Sequence, residues 1–174
     1  MQKEQTCCFF GHRKIKETDE LKIKLHNTVE NLIVNHSVNT FLFGSKSEFD
    51  KLCHKIVTKL KEKYPQIQRV YVRAEYPHIT ESYKEYLLKE YEYTYYPEKL
   101  LGAGKAVYVE RIQEMINDSK YCVVFYNKNY IPQRRKIGKK DLFDYQPRSG
   151  AAVAYDYAVK KNKEIINLYS HIFL

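Results

Sequence analysis

The chain has 174 residues, 44% hydrophobic and 29% charged, a balance that suits one compact domain with a sizeable core and excludes a disordered polymer. Its 30 Lys and Arg outnumber 21 Asp and Glu, and the net charge of +9 favours anionic partners: nucleotides, nucleic acid or acidic surfaces. No apolar run approaches the ~20 residues of a membrane helix, and TCCFFGHRK turns polar too soon for a signal peptide, so the expectation is a cytoplasmic protein with no membrane partner.

In chain order, TCCFF at residues 6–10 reads as a buried strand stopped by Gly11. Thr18 can cap a helix whose apolar positions Leu21, Leu25, Val29, Leu32 and Ile33 keep helical spacing to about His36. TFLF at 40–43 is a second strand, ended by Gly44. Ser47 and Asp50 then have capping-box spacing ahead of the stripe Phe49, Leu52, Cys53, Ile56, Val57 and Leu60. VYV at 70–72 is a third strand. The Tyr- and Glu-rich stretch 75–101 is the least patterned, with a short helix near 81–90 and a short strand near 93–96. A helix over 105–117 should turn Tyr108, Ile112, Met115 and Ile116 inward. YCVVFY at 121–126 is apolar enough to be covered on both faces. After a basic loop at 127–148 come a helix over 149–161 and a last strand, EIINLY at 164–169.

Strand and helix alternate throughout, which predicts an α/β fold: a single Rossmann-like domain over residues 1–174, its mostly parallel sheet of five or six strands flanked by helices on both faces. Cys7, Cys8, Cys53 and Cys122 form no C-x-x-C pair and read as small buried hydrophobes in a reducing compartment. The six His show no metal spacing. No metal site and no cofactor is expected.

In an open parallel sheet, ligands bind outside the carboxyl ends of the strands. Three turns belong to that edge. The first holds Gly11, His12 and Arg13; the second holds Gly44, Ser45, Lys46 and Ser47; the third holds Arg148, Ser149, Gly150 and Ala151. Glycine lets the backbone approach a ligand, and exposed amides at a helix start favour phosphate or carboxylate. Each turn also has a plain structural reading: chain reversal at Gly11 and Gly44, a cap at Ser149 and Asp50, close helix–sheet packing at Ala151 and Ala152. There is no G-x-G-x-x-G and no Walker sequence.

CCFFGHR, the strand–turn–helix FLFGSKSEFD, LKEKYP and SGAAVAYDYAVKKNKEIINL together resemble the SLOG superfamily, and within it the YpsA-like branch. That superfamily includes the DNA-processing protein DprA and the LOG-type phosphoribohydrolases. The resemblance runs in order from Thr6 to Leu168 and is weakest over 75–101. It implies a Rossmann-like fold whose glycine turns bind a nucleotide or nucleotide-derived ligand. Gly11, His12 and Arg13 match the first turn, Gly44 and Asp50 the ends of the second, Arg111 a basic residue early in a helix, and Ser149, Gly150 and Ala151 a phosphate-facing turn. The sequence also departs from its relatives. The second turn is bulkier and lacks a second glycine, Ala151 stands where threonine is frequent, and the P-G-G-x-G-T-x-x-E signature of the phosphoribohydrolases is absent.

The leading expectation is non-catalytic binding of a nucleotide or nucleotide-like small molecule, in a sensing or adaptor role. Arg13, Arg111 or Arg148 would supply charge-assisted hydrogen bonds, and Tyr126 or Tyr130 a ring for a base. N-glycoside cleavage is the alternative and needs a carboxylate; Asp50, Glu75 and Asp156 are the candidates. Single-stranded nucleic-acid binding is a third reading, since NYIPQRRKIGKK joins aromatic and basic residues. The loop from Lys128 to Pro147 can instead form a lid whose five basic residues in 134–140 reach over the Ser149 turn, or be a solvated insertion. The 17 tyrosines make a homodimer a further expectation.

Overall fold

The computed structural model describes residues 2–100, 102, 104, 106–130 and 149–169. The basic cluster at 134–140, Arg148 and the proposed lid beyond residue 130 lie outside the described residues.

A short 3-10 turn at Lys3–Gln5 leads into β1 (Thr6–Gly11), followed by α1 (Asp19–His36), β2 (Thr40–Phe43), α2 (Glu48–Lys63), β3 (Gln68–Val72), α3 (Glu81–Leu87), β4 (Tyr93–Tyr95), α4 (Ala106–Asn117), β5 (Tyr121–Phe125), α5 (Gly150–Lys160) and β6 (Glu164–Asn167). The six strands form one sheet in the order β4-β3-β2-β1-β5-β6. Every neighbouring pair is parallel. The chain therefore winds outward from β1 through β4, then returns to the other side of β1. All carboxyl ends lie on one edge, and the order reverses between β1 and β5.

The period-2 alternation of the strands divides the core between two faces. Cys7 and Phe9 of β1, with Phe41 and Phe43 of β2, meet Leu25, Val29 and Leu32 of α1 and Phe49, Cys53 and Val57 of α2. The rings of Phe9 and Phe43 stack at 5.2 Å. Cys8, Phe10, Leu42, Val70 and Val124 point the other way, against Met115 and Ile116 of α4 and Ala154 and Ala158 of α5. Truncating Phe9 to alanine would leave a cavity and cost about 3–5 kcal/mol.

Helix starts follow the capping residues. Thr18 Oγ1 accepts from the Leu21 amide at 3.2 Å, and Ser47 Oγ accepts from the Asp50 amide at 3.1 Å. Thr80 and Ser149 cap α3 and α5 in the same way. On α4 the buried stripe is Val107, Arg111, Met115 and Ile116. Tyr108, expected inward, is exposed instead, because its hydroxyl bonds the Glu75 carboxylate at 2.6 Å.

All four cysteines are free and buried. Cys8 and Cys122 face each other in register across β1 and β5, with sulfurs 3.6 Å apart. The hydrogen bond shared with Cys8, then burial, pushes the Cys122 thiol far up. Such thiols pack as hydrophobes and do not react as nucleophiles. Among the described residues no helix is long and apolar enough to cross a membrane, and no group of His, Cys, Asp and Glu could hold a metal ion.

Candidate functional site at the carboxyl edge of the sheet

Gly11 closes β1 beside the reversal point, paired with Phe125 of β5. A β-carbon on Gly11 would lie 2.6 and 2.8 Å from ring atoms of Phe49 and 3.1 Å from the Phe125 carbonyl oxygen. Glycine is needed here so that Phe49 can pack under the turn. The next two residues part ways. Arg13 is exposed, while its carbonyl accepts from the Glu48 amide at 3.0 Å. His12 is only 3% exposed.

The His12 amide donates to the Phe125 carbonyl at 3.2 Å, and Nε2 accepts from the Asn127 amide at 2.8 Å. Its ring stacks on Tyr130 at 4.1 Å. Because Nε2 receives a hydrogen, the proton of the neutral ring sits on Nδ1, which is buried and finds no partner among the described residues. Burial holds the imidazole below its ordinary pKa of 6.5. His12 thus ties the start of the segment after β5 to the end of β1. Tyr126 is engaged as well, 4.7 Å from the Tyr155 ring, and Asn167 seals its backbone through bonds of 3.1 and 2.9 Å.

Glu48 joins the first turn to the second. Its carboxylate accepts from Lys14 Nζ at 2.6 Å and from the Ile15 amide at 3.0 Å, and these partners hold its pKa low. In the second turn, Ser45 Oγ accepts from the Ser47 amide at 3.0 Å. Gly44 is buried beneath α4. A β-carbon there would meet the Val72 carbonyl oxygen at 2.8 Å and both Cδ and Nε of Arg111 at 3.1 Å. The glycine is the reason Arg111 can reach across the ends of β2 and β3.

Two buried ionisable groups meet at this crossing. Asp50 is buried, and its Oδ1 has no hydrogen-bond partner among the described residues. Burial raises its pKa to about 8, against the opposing pull of Arg111 and of the Gly44 and Ser45 amides. Arg111 is 7% exposed, and its Nε likewise lacks a partner among the described residues. Burial lowers its pKa, and the guanidinium lies 5.6 Å from the Tyr108 ring. A buried charge without a compensating partner is costly in a protein interior, which is why burial favours the protonated form of Asp50 and leaves Arg111 as the charge to be compensated.

Glu75, just past β3, behaves in the opposite sense. The Tyr108 hydroxyl, and then Lys46 at 3.6 Å, hold it below the usual carboxylate range. The edge therefore carries one carboxyl that retains its proton near neutral pH and one that is ionised, the separation that acid–base chemistry requires. Tyr71, Arg73, Ala74, Tyr76, Tyr83 and Arg111 line a cleft beside them.

At the third turn, Ser149 Oγ accepts from the Ala152 amide at 3.1 Å, which is a cap. Ala151 and Ala152 are buried, and α5 packs on β1 and β5. A β-carbon on Gly150 would meet nothing within 4 Å among the described residues, so this glycine answers no packing demand. The first and second turns are thus joined through Glu48 and Phe49, and the second is joined to α4 through Arg111. The third turn lies on the same edge, with no hydrogen bond to the other two among the described residues. Sequence reasoning missed Tyr71, Arg73, Tyr76, Tyr83 and Tyr108. Only Glu75 hinted at them, and the residue that orients it is 33 positions away.

No described protein family and no curated protein matches the sequence. A solved structure of DNA processing protein A from Helicobacter pylori, studied for its single-stranded DNA binding mode, is similar in fold with a TM-score of 0.59. The match has 14% identity and covers 98% of this chain and 68% of that one. At this identity the likeness is one of architecture: the chain shares the fold of DNA processing protein A.

Proposed function

We propose that this chain binds a nucleotide or nucleotide-derived anion at the carboxyl edge of its sheet, as a cytoplasmic, YpsA-like SLOG protein with a sensing or adaptor role. Arg111 carries the proposal. Its guanidinium is buried over Gly44 with Nε unpartnered among the described residues, and it forms no ion pair among them. Asp50 is largely protonated at neutral pH and so does not neutralise it. A buried cation beside a mostly neutral acid is a site for an incoming anion, whose hydrogen bonds to guanidinium are charge-assisted.

The fold likeness to a protein studied for single-stranded DNA binding favours a second reading, in which the anion is the phosphate of a single strand. Calorimetric titration with a nucleoside monophosphate and with a short oligothymidylate, each at two salt concentrations, separates the two. Under the nucleotide reading the mononucleotide binds by itself and the nucleotide is recovered intact. If only the oligonucleotide binds, with affinity falling steeply as salt rises, the single-strand reading replaces it. Release of free base from the mononucleotide would show an enzyme instead.

A further inference from the structure

We propose that the rim of the β3–α3 cleft is a ring-binding subsite: Tyr76 and Tyr83 receive the planar base of the ligand whose anionic group sits at Arg111. This rests on the nucleotide reading above and adds which part of the ligand is read, and by which residues.

The cleft is shallow and open to solvent, with enclosed room for little more than one water molecule, so at most a ligand's small polar end enters it and the remainder lies at its mouth. On its wall lies Arg111, 7% exposed and with Nε unpartnered among the described residues, a polar group that calls for a ligand. At its mouth stand Tyr76, 60% exposed, and Tyr83, 39% exposed. Scattered exposed tyrosines are ordinary surface. Two that line one cleft with a buried cation form an arrangement matched to a molecule with an anionic end and a flat apolar end.

The rim is held in place. Arg73 Nη1 donates to the Tyr76 and Pro77 carbonyls at 3.0 and 3.1 Å, bracing the turn that carries Tyr76. Thr80 Oγ1 accepts from the Tyr83 amide at 3.3 Å, and the Tyr83 ring stacks on Tyr86 at 6.2 Å with 12° between planes. With the backbone at Tyr76 braced and the Tyr83 ring stacked, less freedom is lost when a base stacks on the rim, and stacking tolerates any base because each presents a π-face.

The test compares adenosine 5′-monophosphate with ribose 5-phosphate by calorimetry, in the wild type, in the pair Tyr76→Ala with Tyr83→Ala, and in the corresponding phenylalanine pair. The wild type should bind the nucleotide about tenfold or more tightly than the sugar phosphate, the scale of a base–aromatic stack. The alanine pair should erase that difference while leaving ribose 5-phosphate unchanged, and the phenylalanine pair should retain it. If the alanine pair fails to fold, Tyr76→Ala alone decides, since its side chain is the more exposed. Unchanged nucleotide affinity in the alanine variants overturns the subsite and leaves the anion reading standing. Failure of the wild type to bind either probe removes both.

Discussion

Arg111 lies so close over Gly44 that a methyl group on the glycine would come within 3.1 Å of both Cδ and Nε of the arginine. The Val72 carbonyl oxygen, at the end of β3, would be 2.8 Å from the same methyl group, and backbone cannot swing aside as a side chain can. Gly44→Ala should therefore cost about 1–3 kcal/mol, the scale of core overpacking, and should displace Arg111. Urea denaturation gives the first value. Nucleotide affinity should fall alongside it, and a variant with wild-type stability and affinity would show that the crossing is not tight.

Asp50 makes stability depend on pH in a definite sense. Its folded pKa is raised from an ordinary 3.8 to about 8, so between those values the native state binds the proton and the unfolded chain does not. Stability must then fall as pH rises through that window. Asp50→Asn, neutral at every pH, should remove this decline, as read from urea midpoints at pH 5 and pH 8. An equal decline in the variant would place its origin elsewhere.

His12 acts in the opposite direction. Burial depresses its pKa below 6.5, so in the window below that value the unfolded state binds the extra proton. Stability contributed by the neutral ring is lost as pH falls through this range, when protonation at Nε2 would evict the Asn127 amide. His12→Gln can still accept from that amide but cannot titrate. Its urea midpoint should drop less than the wild type's between pH 7 and pH 5.5. A matching drop would mean that the imidazole does not control this joint.

The elements were largely legible because local signals agreed with the fold. TFLF forms β2 over the very residues expected, and Thr18, Ser47 and Ser149 cap the helices assigned to them. Strand ends shifted by a residue or two where pairing, rather than hydrophobicity, decides the boundary; Gln68 and Arg69 join β3 because they pair with Thr40 and Phe41. The capping box was half right. Ser47 receives the Asp50 amide, but the Ser47 amide turns to Ser45, and the Asp50 carboxyl stays buried beside Arg111. No helical pattern predicts a buried arginine on a core-facing stripe, because its warrant is a glycine 67 positions earlier in the chain. For the same reason the pattern alone places Tyr108 in the core: periodicity sees its helix face, whereas the hydroxyl of Tyr108 is claimed by Glu75 from a different strand end.

The most direct test of the account is the affinity of Arg111→Met for a nucleoside monophosphate, measured by calorimetry beside the wild type at one pH and one salt concentration. Methionine keeps the apolar stem over Gly44 and removes the buried charge, so the fold should persist with stability equal to the wild type's or higher. The account predicts that nucleotide affinity falls at least tenfold, the loss of about 1.4 kcal/mol or more that a charge-assisted hydrogen bond supplies. A folded Arg111→Met protein that binds the nucleotide as tightly as the wild type would contradict it.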